Sequence, residues 1–474
     1  MKLKLEKLIV FFSKFGILLI AIIFVVIIKI PHLSLPYSWD EAWSYLPALI
    51  KMVENGPGLI PGTIPIYESK GHPLFYYFLN SGWVELFSGD MSNIVLARVF
   101  PLLVSIALLI ALFVIARKHF SPMVANFSVV LLSVQSLFLA QASLILPEML
   151  LTLLLLLSFH FFVSGKFGWY AITASLMVLT KETGLVFAGV FGVFYLIENK
   201  IIIPRKDNFA KLFLLTVPLW IFGIHLLLNF RAFNTFFFNE HLDYISFDLL
   251  QIKRVIKSST AILFTRYGRN VISVVMLFSV IIILIRKEKF ENLKILVLII
   301  AQIVLLTLFT SINFYTYRYM LPAFPIFILL SSVLLEQAFS KQKVVQYVLM
   351  TVMITVPLYF SITKKGKTDI DFGYVSYLPL HEEMVIFCEQ QNWYEKNFAT
   401  EFNMVMAMRD PFTGYHISSK GFKTNHLPNL ENIDIVILDS TGEWTKLPEN
   451  LKDKFSLIKR FENNKDWGEI YIRK

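Results

Sequence analysis

Long apolar stretches are the feature of this 474-residue sequence that most restricts its fold. A transmembrane helix needs about 20 consecutive, mostly apolar residues. Eleven stretches meet or approach that requirement, near 8–28, 94–115, 122–141, 147–163, 168–181, 184–198, 209–229, 270–285, 295–311, 319–337 and 344–361. Charged residues make up only 16% of the chain, against roughly 25% in soluble domains. The sequence therefore predicts an α-helical polytopic membrane protein with about eleven transmembrane helices.

Charge and cysteine content exclude other classes of protein. The formal net charge of +10 would suggest a nucleic-acid partner in a soluble chain. Here most of the basic residues lie in short loops between apolar stretches, so they report membrane orientation, and no nucleic-acid partner is predicted. Cys388 is the only cysteine, which excludes a scaffold built on disulfides.

The basic residues fall in alternate connections between the predicted spans, and the positive-inside rule makes those connections cytoplasmic. They are Lys2, Lys4, Lys7, Arg117, Lys118, Lys166, Lys200, Arg205, Lys206, Arg286, Lys287, Lys341 and Lys343. The outer side then receives the loop 29–93, the loop 230–269 and the tail from about residue 363. We expect a bacterial inner membrane, with this face extracytoplasmic.

The tail differs in composition from the rest of the chain. It has the mixture of polar and apolar residues of a soluble domain, with short β-like runs at Ile433–Leu438 and Glu469–Ile472. Its length of roughly 100 residues suits an independent domain. The sequence thus predicts a membrane domain over 1–362 and a small extracytoplasmic α/β domain over 363–474.

Polar groups at membrane depth are costly, so they are candidates for function. The predicted topology brings such residues from six segments to the level of the outer leaflet: Asp40, Glu41, Lys70, His72, Arg98, Glu148, Lys181, Glu182 and Arg318. Together these acids and cations on one face indicate an anionic ligand handled near the outer surface.

Each of these residues also has a structural interpretation. Arg98 and Arg318 are positioned to extend their side chains to phospholipid headgroups, and Glu148 to pair with one of those arginines. Lys181 and Glu182 would form a local ion pair at a broken helix. The loop acids and the turn at His72-Pro73 are likewise compatible with purely structural roles.

Taken in their order along the chain, these residues resemble the motifs of the GT-C glycosyltransferases. The similarity is to the branch containing protein O-mannosyltransferases (dolichyl-phosphate-mannose-protein mannosyltransferases) and the lipid A aminoarabinose transferase. It is carried by Asp40-Glu41, the segment Lys70–Tyr77, Ala97-Arg98, Arg117–Phe120, Leu146-Pro147-Glu148, Leu179-Thr180-Lys181 and Arg318–Pro322. It is strong across residues 30–185, thin through 200–310, and returns at 315–340.

The resemblance implies a GT-C fold and a catalytic membrane domain. It implies transfer of a sugar from a polyprenyl-phosphate donor to a lipid, glycan or protein acceptor of the cell envelope. By position, Asp40 matches the family's catalytic acid, Lys70 and Arg98 its carrier-phosphate cations, and Glu148 a second acidic position. Relatives have a His-Pro-Pro or Lys-Pro-Pro element where this chain has His72-Pro73-Leu74, so the alignment of Lys70 is open by about one residue.

The chemistry of such a transfer is consistent with these residue types. Fixed cations stabilise the departing phosphate, and a carboxylate removes the proton of the attacking acceptor. We therefore hypothesise a single inverting displacement. Asp40 is the predicted base, Glu41 and Glu148 are further acidic candidates of the catalytic site, and the predicted substrate-binding residues are Lys70, His72, Tyr76, Arg98, Lys181, Tyr315 and Arg318.

The sequence indicates no nucleotide-binding glycine loop and no His/Cys cluster with metal-ligand spacing. A divalent cation near Asp40, Glu41 and His72 stays open, since two adjacent acids in a loop are a weak signal for a metal site. Two alternative functions stay open: a transporter or flippase for a lipid-linked or anionic solute, and a membrane-anchored binding or assembly protein that acts through its tail. Transporters place such charges near the midplane and have repeated halves, whereas here the acids cluster at one face and no repeat is evident.

Overall fold

The computed structural model describes residues 2–87, 90–91, 93–200, 206–366, 368–428, 432–444 and 446–474, and of residues 2–12, 206, 207 and 450 it describes the backbone only. Arg205 and the side chains of Lys2, Lys4 and Lys7, used above for orientation, therefore lie outside the described residues.

Every predicted span contains a helix. Six helices in the described residues are long and apolar enough to cross a membrane: Ser13–His32, Ile94–His119, Asn208–Phe233, Arg266–Ile285, Leu293–Ser311 and Lys343–Thr363. The remaining five predicted spans correspond to shorter apolar helices, Pro122–Ser133, Glu148–Val163, Phe167–Thr180, Gly184–Glu198 and Ala323–Phe339. A helix of 16 residues is about 24 Å long at about 1.5 Å per residue, slightly shorter than the roughly 30 Å hydrocarbon core.

The helices follow one another in this order: α1 Lys2–Lys29, α2 Leu46–Asn55, α3 Ile66–Ser69, α4 Phe75–Phe87, α5 Ile94–His119, α6 Pro122–Ser133, α7 Ser136–Gln141, α8 Glu148–Val163, α9 Phe167–Thr180, α10 Gly184–Glu198, α11 Lys206–Phe233, α12 Asn239–Asp243, α13 Leu249–Phe264, α14 Arg269–Ile285, α15 Leu293–Ser311, α16 Ala323–Phe339, α17 Lys343–Thr363, α18 Tyr374–Gln390, α19 Phe402–Arg409 and α20 Glu449–Lys452. Shorter helical turns occur at Ile30–His32, Glu41–Tyr45, Arg266–Gly268, Tyr317–Met320 and Pro411–Thr413.

The span predicted over 122–141 is two helices rather than one. α6 ends at Ser133 and α7 begins at Ser136, because Gln135 adopts an extended conformation between them. The carbonyl oxygen of Val134 accepts a hydrogen bond from Ser361 Oγ at 2.7 Å. Neighbouring helices therefore satisfy backbone groups that the break sets free, which is the condition for irregular backbone inside an apolar bundle.

The C-terminal region folds around a five-stranded sheet, with β1 Asn397–Thr400, β2 Lys423–His426, β3 Ile435–Asp439, β4 Phe455–Asn463 and β5 Asp466–Arg473. The strand order is β2-β1-β3-β5-β4, parallel among the first three strands and antiparallel at β3–β5 and β5–β4. The two β-like runs of the sequence are β3 and part of β5. The predicted small α/β domain after the last apolar helix is therefore present.

This domain sits on one end of the bundle, which we call the capped end. The backbone N–H of Tyr37 donates to the Thr413 carbonyl at 2.9 Å, and Trp39 Nε1 donates to the Tyr377 hydroxyl at 2.9 Å. The two regions also share one continuous hydrophobic core. The domain is thus packed directly onto the first loop of the chain, which carries Asp40.

Candidate functional site

Unusual backbone places Asp40 at the capped end. Trp39 has a φ of 48°, a left-handed conformation that is a rare outlier for a bulky residue. Immediately after Asp40, residues Glu41–Tyr45 form a single π-helical turn. Strained residues and π-turns occur often at functional sites. The two features together turn the Asp40 side chain, which is 31% exposed, toward a cavity.

Arg318 is the centre of a buried ion-pair network. It lies in the helical turn Tyr317–Met320 and its side chain is 5% exposed. Its guanidinium donates from Nη2 to Asp40, from Nη1 to Asp369 at 2.8 Å, and from Nε to Glu148 at 3.3 Å. Three carboxylates from distant segments thus meet at one cation. Arg318 is therefore not free to extend to lipid headgroups.

Glu148 and Lys181 extend this network inward. Lys181 Nζ donates to Glu148 Oε1 at 2.7 Å, and both side chains are buried. The Lys181 ammonium also lies over the Tyr319 ring, 3.9 Å from its centroid. The alternative of a local Lys181–Glu182 ion pair is therefore wrong, because each residue contacts a different part of the fold. The alternative in which Glu148 pairs with an arginine is confirmed, with Arg318.

Glu41 and Arg98 form a second, separate pair. Arg98 Nη2 donates to Glu41 Oε2 at 3.0 Å, and the backbone N–H of Ile145 donates to Glu41 Oε1 at 2.9 Å. Burial raises the pKa of Glu41, and Arg98 opposes that rise. Arg98 is only 1% exposed. This pair joins the first loop to the start of α5. Neither residue lines the large cavity that holds Asp40, Lys70 and His72, and Glu41 reaches only a small cavity of about 10 Å³ that it shares with Asp40.

A cavity of about 460 Å³ lies beside Asp40, and its polar lining comes from segments that are far apart in the sequence. Asp40, Lys70, His72, His241, Arg318 and Asp369 face it. Its aromatic wall includes Trp39, Trp43 and Phe402, the last contributed by the C-terminal domain. The ring of Phe402 lies 5.6 Å from that of Trp43, between centroids. The domain therefore forms part of the site itself.

A second cavity, also about 460 Å³, adjoins the first and is largely apolar. Its walls include Leu185, Phe222, Leu226, Phe236 and Ile245. The two cavities share six lining residues, His72, Phe238, His241, Tyr244, Phe314 and Tyr319. The first cavity, which we call the polar cavity because it holds the charged side chains, thus meets an apolar cavity between α10, α11 and the loop that follows α11.

Lys70 is a cation that faces the polar cavity without an ion pair. Its ammonium lies over the rings of Tyr67 and Trp43, 4.0 and 4.8 Å from their centroids. Among the described residues, no carboxylate oxygen lies within 4.0 Å of it. Burial lowers the pKa of Lys70. Of the predicted phosphate-binding cations, Lys70 is held where it is available to an anion, whereas Arg98 is not.

Gly71 lines the apolar cavity and is expected to be required for the shape of its wall. Its φ is +72°, and a methyl group on it would lie 2.7 Å from Phe238 Cβ. Gly71→Ala is therefore expected to lower the free energy of unfolding by about 1–2 kcal/mol from the left-handed conformation alone, and further through the clash. Thermal unfolding of the purified protein in detergent measures the effect.

Gly82→Ala is the matched control, because Gly82 lies inside α4 with nothing within 4 Å of an added Cβ. Replacing a helical glycine by alanine stabilises by roughly 0.5–1 kcal/mol. Equal unfolding temperatures for the two variants would contradict the assignment of Gly71.

Two other predicted site residues, Tyr76 and Tyr315, lie near the cavities, and Tyr76 is the more deeply buried of the two. Tyr76 is 1% exposed and accepts a hydrogen bond from Asn80 Nδ2 at 3.3 Å, so it supports the wall from behind. Tyr315 has a buried hydroxyl without a described partner, and its ring contacts Tyr317. Neither of these two tyrosines lines the two cavities described above.

Several residues that face the site were not predicted from the sequence, among them Asp369, Phe402 and His241. Asp369 follows the last apolar helix, Phe402 begins α19, and His241 lies in the short helix α12. Asp369 could have been predicted from the sequence, because it lies just after the last span on the side predicted to hold Asp40. His241 and Phe402 could not, since each reaches the cavity only through long-range packing.

The structure brings together three side chains that could hold a metal ion, and they differ from the set considered above. Ligand atoms of His72, Glu182 and His241 all lie within 4.8 Å of one another. Glu41 is directed to Arg98, away from His72 and the polar cavity. Burial lowers the pKa of His241 to about 4, so its imidazole is neutral at pH 7.

The fold is similar to those of solved membrane enzymes. Crystal structures of ArnT from Cupriavidus metallidurans match at 12% identity over 96% of this chain and 98% of that chain, with TM-scores of 0.58 for the apo state and 0.55 for the form bound to undecaprenyl phosphate. The crystal structure of the Archaeoglobus fulgidus oligosaccharyltransferase, in complex with Zn and sulfate, matches at 11% identity and a TM-score of 0.55. That match covers 89% of this chain and 67% of the other.

The chain has the GT-C fold. It is a multi-pass membrane protein whose small C-terminal sheet domain packs on one end of the GT-C bundle. No protein-family model matches the sequence, and no curated protein sequence matches it. At these identities the structural similarity establishes the fold only, and the function depends on the chemistry of the site.

Proposed function

We propose that this protein is a membrane glycosyltransferase that moves a sugar from a polyprenyl-phosphate donor to an extracytoplasmic acceptor. One observation carries the proposal: Asp40 and the unpaired Lys70 face a polar cavity that adjoins an apolar cavity of similar volume. A donor with a prenyl tail, a phosphate and a sugar matches this arrangement, because its tail is apolar and its phosphate and sugar are polar. The ArnT structure bound to undecaprenyl phosphate, which shares the fold, supports this class of donor.

The proposal seats the prenyl chain in the apolar cavity and the phosphate at Lys70. The phosphate oxygens accept hydrogen bonds from the ammonium, whose position is fixed by the rings of Tyr67 and Trp43. Fixed donors stabilise the charge that develops on a leaving phosphate most strongly where water is excluded. Arg318 lines the same cavity and contributes a second positive charge, already oriented by its carboxylates.

The reaction is then a single displacement. An acceptor hydroxyl or amine attacks the anomeric carbon as Asp40 takes its proton. The bond between that carbon and the phosphate oxygen breaks, and both electrons remain on the departing polyprenyl phosphate. Attack opposite the leaving group inverts the anomeric configuration. Arg318 holds the Asp40 carboxylate toward the cavity, and Glu148 and Asp369 hold Arg318.

The remaining predicted residues receive supporting roles in the proposal. The Glu41–Arg98 pair fixes the backbone next to Asp40. Lys181 holds Glu148, and Tyr76 and Tyr315 support the aromatic surroundings of the sugar and prenyl groups. Residues 1–362 act as the transferase domain, and 363–474 shape the acceptor side through Phe402. The proposal assigns the capped end to the extracytoplasmic face of a bacterial inner membrane. A lipid, glycan or protein acceptor is consistent with it.

Lys70→Met is expected to weaken binding of the donor about 10- to 100-fold. A hydrogen bond to a charged group contributes about 1.5–3 kcal/mol, and about 1.4 kcal/mol corresponds to a factor of ten. Equilibrium binding of fluorescent polyprenyl phosphate to the protein in nanodiscs measures this loss. Lys420→Met is the control, because Lys420 lies over the ring of Tyr394 on the C-terminal domain. Equal affinities for the two variants would argue against phosphate binding at Lys70.

The proposed function is tested with the purified protein in lipid nanodiscs, using a panel of radiolabelled polyprenyl-phosphate sugars and crude cell-envelope acceptor. Transfer of label from one donor to the acceptor fraction is the expected result, and it names the donor. Carrier binding without turnover across the panel would overturn the proposal and favour the flippase alternative.

A further inference from the structure

Helix α13 crosses the capped end of the bundle, and its position is fixed at both ends. Just before it, the backbone N–H of Ser246 donates to the carbonyl of Ile312, the residue that follows α15, at 3.0 Å. Just after it, the ammonium of Lys364, the residue that follows α17, lies 5.1 Å from the centroid of the Tyr267 ring. Because α15 and α17 are long enough to span the membrane, α13 lies at the level of the membrane surface on this side.

One face of α13 packs on the bundle. Ser259, Ile262 and Leu263 are buried, and the helix contacts α14, α15 and the turn Tyr317–Met320, which carries Arg318. This packing fixes which side chains of the helix point away from the protein.

The outward side of the segment begins with three large apolar side chains, which we call the apolar wedge. Phe247, Leu249 and Leu250 are 74%, 78% and 72% exposed. A contiguous apolar patch of this kind marks a contact with another protein or with a membrane. The level of α13 places the wedge against the bilayer, where apolar residues of a surface helix enter the boundary between headgroups and acyl chains.

Three cations, which we call the basic cluster, continue the outward face. Lys253, Arg254 and Lys257 follow Leu250 by three, four and seven residues, the spacing of one helix face, and all three are exposed. α13 contains no acidic residue, and within the described ranges none of the three has a carboxylate oxygen within 4.0 Å. Basic residues concentrate in cytoplasmic connections, so a cluster at the opposite, capped end indicates an anionic partner outside the protein.

We propose that α13 binds the headgroup of an anionic phospholipid in the leaflet at the capped end. The apolar wedge inserts among the acyl chains, and the basic cluster contacts the phosphate through charge-assisted hydrogen bonds. Basic residues beside a membrane are attracted to anionic lipid in this way. The same segment lines the apolar cavity through Tyr244 and Ile245, so a bound lipid also holds this wall of the cavity against the bilayer.

A fluorophore at position 250 tests the site without any sugar donor. Cys388, the only cysteine, is buried, so a thiol-reactive bimane labels full-length Leu250→Cys protein at that position alone. The protein is placed in phosphatidylcholine vesicles that contain a doxyl-labelled lipid, either phosphatidylcholine or phosphatidylglycerol, at equal mole fraction. We expect quenching by both lipids, because the wedge is inserted, and stronger quenching by phosphatidylglycerol, because the basic cluster binds it. Leu457→Cys, at a leucine of the C-terminal sheet that is 49% exposed, should be quenched by neither.

Substitutions in the basic cluster separate headgroup binding from insertion. In the labelled protein, each single replacement of a cluster residue by glutamine should lower the relative affinity for phosphatidylglycerol about fivefold. The triple replacement should lose the preference, while phosphatidylcholine still quenches. The matched control, which should keep the preference, replaces three exposed lysines of the C-terminal domain by glutamine: Lys420, Lys446 and Lys454.

Salt provides a test that leaves the basic cluster unchanged. The preference for phosphatidylglycerol should decline between about 0.01 and 1 M salt, as the screening length falls from about 30 to about 3 Å. A label at position 250 that neither lipid quenches would overturn the membrane contact. Equal quenching by the two lipids, or a preference that persists in the triple variant, would overturn the headgroup site. These outcomes are independent of sugar transfer, so failure of the proposed function would leave them unchanged.

Discussion

Asp40→Asn is expected to slow sugar transfer by about 100- to 10,000-fold, the range that a general base contributes. Asparagine has nearly the same shape, and its carbonyl oxygen still accepts a hydrogen bond from Arg318, but it cannot take the proton of the acceptor. Binding of the carrier should be retained, since Asp40 does not hold the phosphate in the proposed site. Initial rates with saturating donor and acceptor measure the effect.

Asp453→Asn provides the control for this substitution, because Asp453 is an exposed acid at the end of α20 in the C-terminal domain. It should transfer sugar at the parental rate. A rate for Asp40→Asn close to that of the control would show that Asp40 is not the base, whatever the fate of the donor.

Arg318→Met is expected to have the largest effect on stability. Removing one partner of a buried ion pair costs about 3–5 kcal/mol, because the other charge is left buried without compensation. Here Asp40, Glu148 and Asp369 all lose their common cation. Methionine fills much of the volume, so the loss is mainly electrostatic. Thermal unfolding in detergent and the yield of monodisperse protein measure it.

Arg266→Met is the corresponding control, since Arg266 is exposed and its guanidinium lies over the Tyr317 ring, 4.7 Å from its centroid. An exposed contact of this kind contributes about 0.5–1 kcal/mol. Arg318→Lys should be intermediate, because an ammonium cannot reach three carboxylates in the geometry of a planar guanidinium. If Arg318→Met unfolded at the temperature of Arg266→Met, the network would not stabilise the fold.

The helices were predictable because an apolar stretch in a membrane chain has few alternatives to a helix. The break between α6 and α7 was not, because its apolar residues are continuous and the partner of Val134 is Ser361, far along the chain. The strands β3 and β5 were anticipated from short apolar runs outside the membrane domain. Local patterns predicted these elements, and long-range contacts determined where they end.

The end of the bundle at which the candidate site lies, and some of the residues that form it, could be predicted from the sequence. Topology alone placed Asp40, Lys70, Glu148 and Arg318 at one end of the bundle. The pairing among the charges was beyond the sequence, since Lys181 and Glu182 are neighbours yet contact Glu148 and His72. Which cation is free for a ligand depends on such pairings. Lys70 faces the cavity unpaired, whereas Arg98 is closed against Glu41.

The most direct test of the proposed function follows a polyprenyl-phosphate sugar, labelled in both the carrier and the sugar, with the protein in sealed proteoliposomes. We predict release of polyprenyl phosphate in an amount equal to the sugar gained by the acceptor, with inverted anomeric configuration in the product. Movement of the intact donor from one leaflet to the other, with the sugar still attached to its carrier, would contradict the transferase and identify a flippase.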